Sequence, residues 1–464
     1  MVATITAEMK RRFIDEFKND ADSASVNYYI GISRSEDWND SDTAPTPLNT
    51  ERDQRNFRLG LQSVKQVVNY SFVIPRVNWT SGTTFAAYND AVEAHPTVPY
   101  YAMTESNQVY VCTRQGTNSA GVTQPSTVQP TGSSTKGIVL SDGYAWKFLY
   151  TIGTLDAAAY KSANFIPVKL QGATDSSSPA TDVEQLAIQT AAITGRQIVG
   201  FSLDSGGAGY SSNPTVTITG DGTGSAASAV QSGGAIVKIT VDDDSGGAAN
   251  AIKMGTGFNF ASIVLSGGGS PTKIATGKVI LGPKAGLGAD PRDDLRARAI
   301  MFNVKPVGDE EGEFIVGNSF RQIGLLRNPE ETDSAATGQL FTASDGNCLR
   351  RLQLASISTA FTQRSTLTGG TSGAIAFIDK TDSDEIWYHQ TESTGFTQFQ
   401  EAEAVTDAAG GAGTTQAAGT DGDTDAYVEP KVDNFSGDLL YIENRAAVVR
   451  ATDQTEDIKV IIEI

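Results

Sequence analysis

Thiols and imidazoles are the scarcest reactive groups in this 464-residue sequence, which holds only Cys112, Cys348, His95 and His389. Two distant thiols cannot build a four-cysteine zinc site or a disulfide framework, and both read as reduced, small hydrophobes. No HExxH is present, so the usual zinc-protease geometry is missing, and no GxSxG elbow offers a serine nucleophile. Attack by Cys112 with His95 or His389 as base would need an activating neighbourhood that the flanking residues do not supply. Long apolar runs are absent too, which argues against a secretory signal or a spanning helix. Synthesis in the cytosol without direct membrane insertion is the expectation. Positive charge is short: 35 Lys and Arg stand against 54 Asp and Glu, a formal net charge of -19. Such a surface repels phosphates, and the longest basic cluster is only Lys10, Arg11 and Arg12. No nucleic-acid partner is expected.

Glycine is plentiful. Its 47 copies fall in pairs and triplets without a three-residue period, which excludes collagen and points to tight turns between strands. The GAGY at 207–210 has no following Gly-Lys-Ser/Thr and opens no helix, so it reads as a turn rather than a phosphate loop. Asp242, Asp243 and Asp244 lack the spacing of a calcium loop and read as an acidic hairpin tip. No cofactor and no metal are expected, and no residue is a candidate for catalysis. With 39% apolar residues at this length, the chain has material for roughly two to four domains.

Along the chain, Thr6 can cap a helix over 6–18 whose apolar positions are Met9, Phe13, Ile14 and Phe17. A strand follows at Tyr28–Ile32, then a polar turn with Trp38 and the APTPLN stretch (44–49), whose prolines suit neither sheet nor helix. Residues 50–69 read as a second helix, with Phe57, Leu59, Leu61, Val64 and Val68 apolar. Residues 98–114 read as a hairpin turning near Glu105–Asn107. In DGYAWKFLYTI (142–152), Tyr144, Trp146, Phe148 and Tyr150 alternate with Ala145, Lys147 and Leu149, so one strand face carries an aromatic ridge. Residues 171–182 read as a linker or a long loop. GAGYSSNPTVTITG (207–220) and GTGFNFASIVLSGG (255–268) form a weak repeat that places Tyr210 and Phe258 at equivalent positions, and the two copies could face each other as halves of a small sandwich. A short helix at 291–298, strands near 300–304 and in EFIVG (313–317), a β module over 340–400 and a surface loop at 405–422 complete the reading. The apolar end, DIKVIIEI (457–464), should be paired in a sheet.

Several of these stretches resemble one family. YYIGISRSEDWND with APTPLN, VYVCTR leading through PSTVQPTG to DGYAWKFLYTI, GLGADPRDDL, FRQIGLLRNP and SGDLLYIENRAAVVRATDQTEDIKVIIEI are similar to the baseplate wedge proteins of T4-like contractile-tailed phages. Within that family the likeness is to the subunit that forms a dimer in each wedge. It covers about 1–170 and 280–464, while 196–280 and part of 360–425 depart from it. The resemblance implies a structural protein without catalysis, located in the virion's tail baseplate and assembled in the host cytoplasm. It implies a homodimer contacting other wedge proteins, in a baseplate of six wedges around a hub that rearranges on host attachment. It also implies an α+β portion made from both chain ends, with inserted β-rich portions.

The expected fold class is therefore α+β and all-β multidomain, the inserted domains being β-sandwich-like. The expected divisions are 1–95 with 426–464, 96–195, the Gly-rich insertion 196–280, and 281–425. The resemblance implies that Asp142, Gly143, Tyr144, Trp146 and Lys147 sit in the family's aromatic strand, and that Asn444, Arg445, Arg450, Asp453, Gln454, Thr455 and Glu456 belong to its closing segment. The structural or interface candidates are Phe13, Phe17, Trp38, Tyr144, Trp146, Phe148, Arg445, Arg450, Gln454 and Glu456. The resemblance implies packing for the rings and charge-assisted bonds for the closing segment. The alternative is a receptor- or glycan-binding tail module, with Trp387, Tyr388 and Phe396 as first candidates for sugar contact.

Overall fold

A computed structural model describes residues 4–93, 95–243, 252–332, 338–417 and 426–463. Strands take 40% of the chain and helices 11%, so sheets build its cores. Two compact units emerge, Met1–Ile14 with Ser71–Met301 and Ile461–Ile464, and Asp15–Tyr70 with Phe302–Val460. Each is discontinuous in sequence.

The first unit contains an antiparallel sheet in the order Tyr101–Met103, Gln108–Arg114, Ala145–Thr151, Ile138–Val139. Its first two strands are the expected hairpin, with Asn107 in the left-handed region at φ 59°. Asparagine tolerates that conformation better than most residues. The aromatic ridge lies inside: Tyr144, Trp146 and Phe148 join Phe85, Tyr110 and Ile188 in one apolar cluster. Ridge and opposite face are both buried from Ala145 to Tyr150. The polar stretch 115–137 is fastened from beneath by Asp142, whose carboxylate accepts from the Thr127 and Val128 amides and the Ser126 hydroxyl.

The linker expected at 171–182 ends early, because a helix runs over Ala180–Ala192. Its inner face carries buried Gln185 and Gln189 beside Ile188 and Ala192. The two amides bond the backbone of Lys169 and Gln171. Polar residues at core positions mask the apolar period that would have signalled the helix.

The Gly-rich part forms a sheet ordered Ala235–Val241, Ala227–Ser232, Thr215–Gly220, Ala261–Ser266. The two repeat copies are neighbours in this sheet, Val216 opposite Leu265 and Ile218 opposite Ile263, and do not face each other across a core. The pair Ile198–Ser205 and Thr276–Leu281 supplies Phe201 and Leu203 to the cluster shared with Tyr210, Ile239 and Leu265. Of the acidic run, Asp244 lies outside the described residues.

In the second unit, five antiparallel strands run in the order Asp345–Asn347, Leu61–Gln66, Tyr28–Ser33, Ser319–Arg327, Asp438–Val449. Thr50 caps the helix Glu51–Leu59, its hydroxyl accepting from the Asp53 amide at 3.2 Å. The helix expected over 50–69 stops at Gly60, whose N–H returns to Asn56 O, and Leu61–Gln66 is a strand. Leu61 and Val64 are fully buried in it while Val68 is exposed, so a run of mixed spacing was two elements joined by a glycine. Phe57 lies over Gly31 and Gly324, which sit opposite each other in the sheet.

Six further strands close into a ring: Arg350–Thr359, Glu385–His389, Ile375–Thr381, Thr366–Gly369, Ala404–Asp407 and Ala412–Thr415, the last returning to the first. Leu352, Leu367, Ile378, Ile386, Tyr388 and Val405 fill it. The surface loop expected at 405–422 thus begins as a hairpin of the ring, and its remainder from 418 lies outside the described residues. EFIVG is irregular rather than a strand. Phe314 and Ile315 are nonetheless buried, and the Ile315 and Gly308 carbonyls accept from the buried Arg450 guanidinium instead of a neighbouring strand.

Candidate functional site

The most unusual chemistry of the second unit is a buried histidine between two carboxylates. His389 ends the strand Glu385–His389, and Asp379 sits on the neighbouring strand Ile375–Thr381. The imidazole Nδ1 and an Asp379 oxygen are 2.5 Å apart. On the other side Nε2 lies 3.2 Å from Glu36, an ionic contact without the alignment of a hydrogen bond. Ser35 Oγ donates to Asp379 at 2.7 Å, and Asn318 Nδ2 donates to it at 3.2 Å. The Phe377 ring stacks on the imidazole, centroids 5.4 Å apart. Burial alone would discharge the ring, but the Asp379 and Glu36 carboxylates outweigh it and hold His389 protonated well above the ordinary imidazole range. Glu36 is likewise penalised by burial, yet the histidinium draws its carboxyl down to about 2. A 2.5 Å separation between imidazole and carboxylate is a hydrogen bond with no room for a metal ion between them. The centre ties four chain segments together electrostatically.

Beside it opens a groove of about 890 Å³, lined by Tyr388, His389, Gln398, Asn434, Phe396 and Phe435 among others. Phe396 and Phe435 are 58% and 61% exposed. The Asn434 amide donates to the Arg58 and Cys348 carbonyls, leaving its Oδ1 without a donor. Of the residues singled out for sugar contact, Trp387 and Tyr388 are buried at 8% and 2% exposure. Only Phe396 presents a ring to solvent.

The named structural candidates fall in distinct places. Phe13 is 46% exposed on the helix Ala7–Ala21, whereas Phe17 packs edge-on against Tyr28 and Phe302. Trp38 donates its indole N–H to the Arg445 carbonyl at 2.9 Å and lies under the Arg34 guanidinium. Arg450 is 2% exposed; its guanidinium donates to Glu456 at 2.9 Å and to Gly308 O at 2.6 Å, and stacks on Phe314. Gln454 is half-buried in the intervening turn, where its carbonyl accepts from Gly308 N. The structure therefore brings together Trp38 with Arg445 and Arg450 with Glu456. Tyr144, Trp146 and Phe148 are core residues of the first unit.

Both thiols are wholly buried, and burial pushes each well above the ordinary cysteine range. His95 Nε2 lies 2.9 Å from the Leu295 carbonyl, and burial lowers its affinity for a proton. Cys112 and His389 belong to different units. Sequence reasoning missed His389 with Asp379 and Glu36, and also the buried Arg321, which bonds Asp37, Asp42 and the Ser35 carbonyl. In FRQIGLL, a lone arginine at the inward phase of an apolar strand was the available signal. No helix among the described residues is long and apolar enough to cross a membrane. No protein-family model matches the chain, and no curated protein matches it either.

Proposed function

We propose that this chain is a structural component of a contractile-phage tail baseplate wedge, pairing with a second copy and holding neighbouring wedge proteins during assembly and host attachment. One observation carries the reading: strands from several of the stretches that resemble the wedge family, scattered along the sequence, are bonded neighbours in space. YYIGIS, FRQIGLL and DLLYIEN are adjacent strands of one sheet, and VYVCTR pairs with AWKFLYT in another. The likeness thus falls on the frameworks of both units, where a chance similarity of surface loops would not. The bond of Arg450 to Glu456 further supports the packing role inferred for the closing segment. On this reading the finer fold is a terminal α+β domain drawn from both chain ends, with β-sandwich-like domains inserted, and the protein resides in the virion. Sedimentation equilibrium of the full chain should give a dimer, and a map of the phage particle should place it in the baseplate. A monomer at every concentration, together with its absence from particles, refutes the proposal.

The groove favours a second reading, a receptor- or glycan-binding tail module. Exposed Phe396 and Phe435 offer faces for sugar C–H groups. A glycan array probed with the full chain and with Phe396→Ala decides it. Binding by the first and not the second supports a sugar site, and no binding by either removes it.

A further inference from the structure

In the first unit a cleft of about 550 Å³ reverses the charge balance of the chain. Arg11, Arg196, Lys284, Arg292, Arg296 and Arg298 line it, against four carboxylates, Glu8, Asp90, Glu93 and Asp293. The whole sequence has 35 basic to 54 acidic residues, so this concentration is a local departure with an electrostatic consequence. Partly desolvated cations attract an anion more strongly than cations in open water.

Most of these side chains are already fixed. Arg11 pairs with Asp293, Arg292 with Asp290 at 2.9 Å and Arg298 with Glu93 at 3.3 Å. Arg296 adopts the left-handed backbone, φ 53°, and its guanidinium lies over Tyr88 and Tyr100 at 5.2 and 4.7 Å while donating to Asn89 O at 2.7 Å. A planar guanidinium held in this way loses little freedom on meeting a carboxylate. Two cations differ. Arg196, half-buried, and Lys284, exposed, have no carboxylate within ion-pair distance among the described residues. They border the strands Ile198–Ser205 and Thr276–Leu281 respectively, which are paired with Ile198 opposite Leu281, so both flank the same end of that ladder.

We infer that this cleft binds a carboxylate-rich segment of a partner polypeptide. The volume is that of a site for several groups rather than one phosphate. Tyr88, Val92, Leu281 and Ala297 also line it and suit the methylenes of glutamate side chains. The chain's net charge of -19 disfavours a polynucleotide at long range, while a short acidic segment gains from the local field alone.

The full-length protein, a fluorescent oligoglutamate peptide and an oligoglutamine peptide of equal length test this by anisotropy at low ionic strength. Oligoglutamate binds and oligoglutamine does not; Arg196→Gln with Lys284→Gln weakens binding at least about tenfold, and added salt weakens it further. Lys284→Glu alone, at an exposed position, gives the same direction should the double variant lose its fold. Equal binding of both peptides, or unchanged affinity in the folded variants, overturns the inference. Displacement by inorganic phosphate, or tighter binding of a single-stranded oligonucleotide, overturns the polypeptide assignment.

Discussion

Two sheets of this protein show opposite ways of being a sheet. In the second unit, Tyr28–Ser33 is buried at every position and Ser319–Arg327 at all but its last. In the first unit, Thr215–Gly220 and Ala261–Ser266 have a half-buried face and an open one, and Leu265 is their only buried residue. A strand covered on both faces has no neutral position. Every side chain there must fit, and every polar group must find a partner. Gly31 and Gly324 satisfy the first demand, since a Cβ at Gly31 would come within 2.7 Å of Leu61 Cδ1 and one at Gly324 would overlap the Phe57 ring. Arg321 satisfies the second through Asp42, Asp37 and Ser35. A strand with one wet face is half free to vary. The framework sheet should therefore be brittle and the Gly-rich sheet forgiving.

Brittleness should show most at Arg450, just after the framework strand Asp438–Val449. Arg450→Ala leaves Glu456 buried without its cation and two carbonyls without donors. A loss of about 3–5 kcal/mol from the second unit is expected, because removing one member of a buried pair strands the other. Amide exchange of Ser319–Arg327 in denaturant reads it. Arg450→Met combined with Glu456→Leu should recover most of the loss, and a single substitution costing under about 1 kcal/mol would show that the pair bears little weight.

Gly324→Ala comes next, at about 1–3 kcal/mol through overpacking against Phe57. Its cost should shrink when Phe57 is also Ala, since the ring it strikes is then gone. A double-mutant cycle that returns additive penalties would contradict the contact.

The histidine centre predicts a pH dependence of known sign. His389 has its folded-state proton affinity raised, so its contribution is complete below the unfolded value of about 6.5 and is lost as pH climbs through the folded value. The second unit should weaken above neutrality with a slope of at most about 1.4 kcal/mol per pH unit from this group. Glu36 works oppositely: its contribution is present above its ordinary value of 4.5 and is lost as pH falls toward about 2. Urea midpoints across pH for the wild type and His389→Phe check both, and an unchanged alkaline slope in the variant would exclude His389 as its source.

The hairpin at 98–114, the aromatic ridge and the apolar end were legible because period and turn residues agreed. The second helix is shorter than its apolar pattern predicts, because Leu61 and Val64 continue that pattern and only Gly60 interrupts it. The helix Ala180–Ala192 was hidden by Gln185 and Gln189 on its inner face. Buried ionic groups were the least legible. Lys147 reads as the wet side of an alternating strand, yet it is 4% exposed and burial lowers it to about 8, and burial raises the Asp294 carboxyl. Alternation reports one covered face; it cannot report that a second layer covers the other. The His389 centre joins residues 36, 379 and 389, a juxtaposition no local pattern encodes.

Valine to threonine is the most discriminating substitution, because the same change serves both sheets. Val64 in the framework is fully buried, and Val264 in the Gly-rich sheet is 56% exposed. Threonine keeps the shape and β-branching of valine and adds a hydroxyl. At Val64 that hydroxyl must be desolvated, which should cost about 1–3 kcal/mol. At Val264 it stays in water, and a change within about 0.5 kcal/mol is expected in the unfolding midpoint of the first unit. If Val264→Thr cost as much as Val64→Thr, the open face of the Gly-rich sheet would have to be covered in solution. The Gly-rich sheet would then be an interface rather than a free surface.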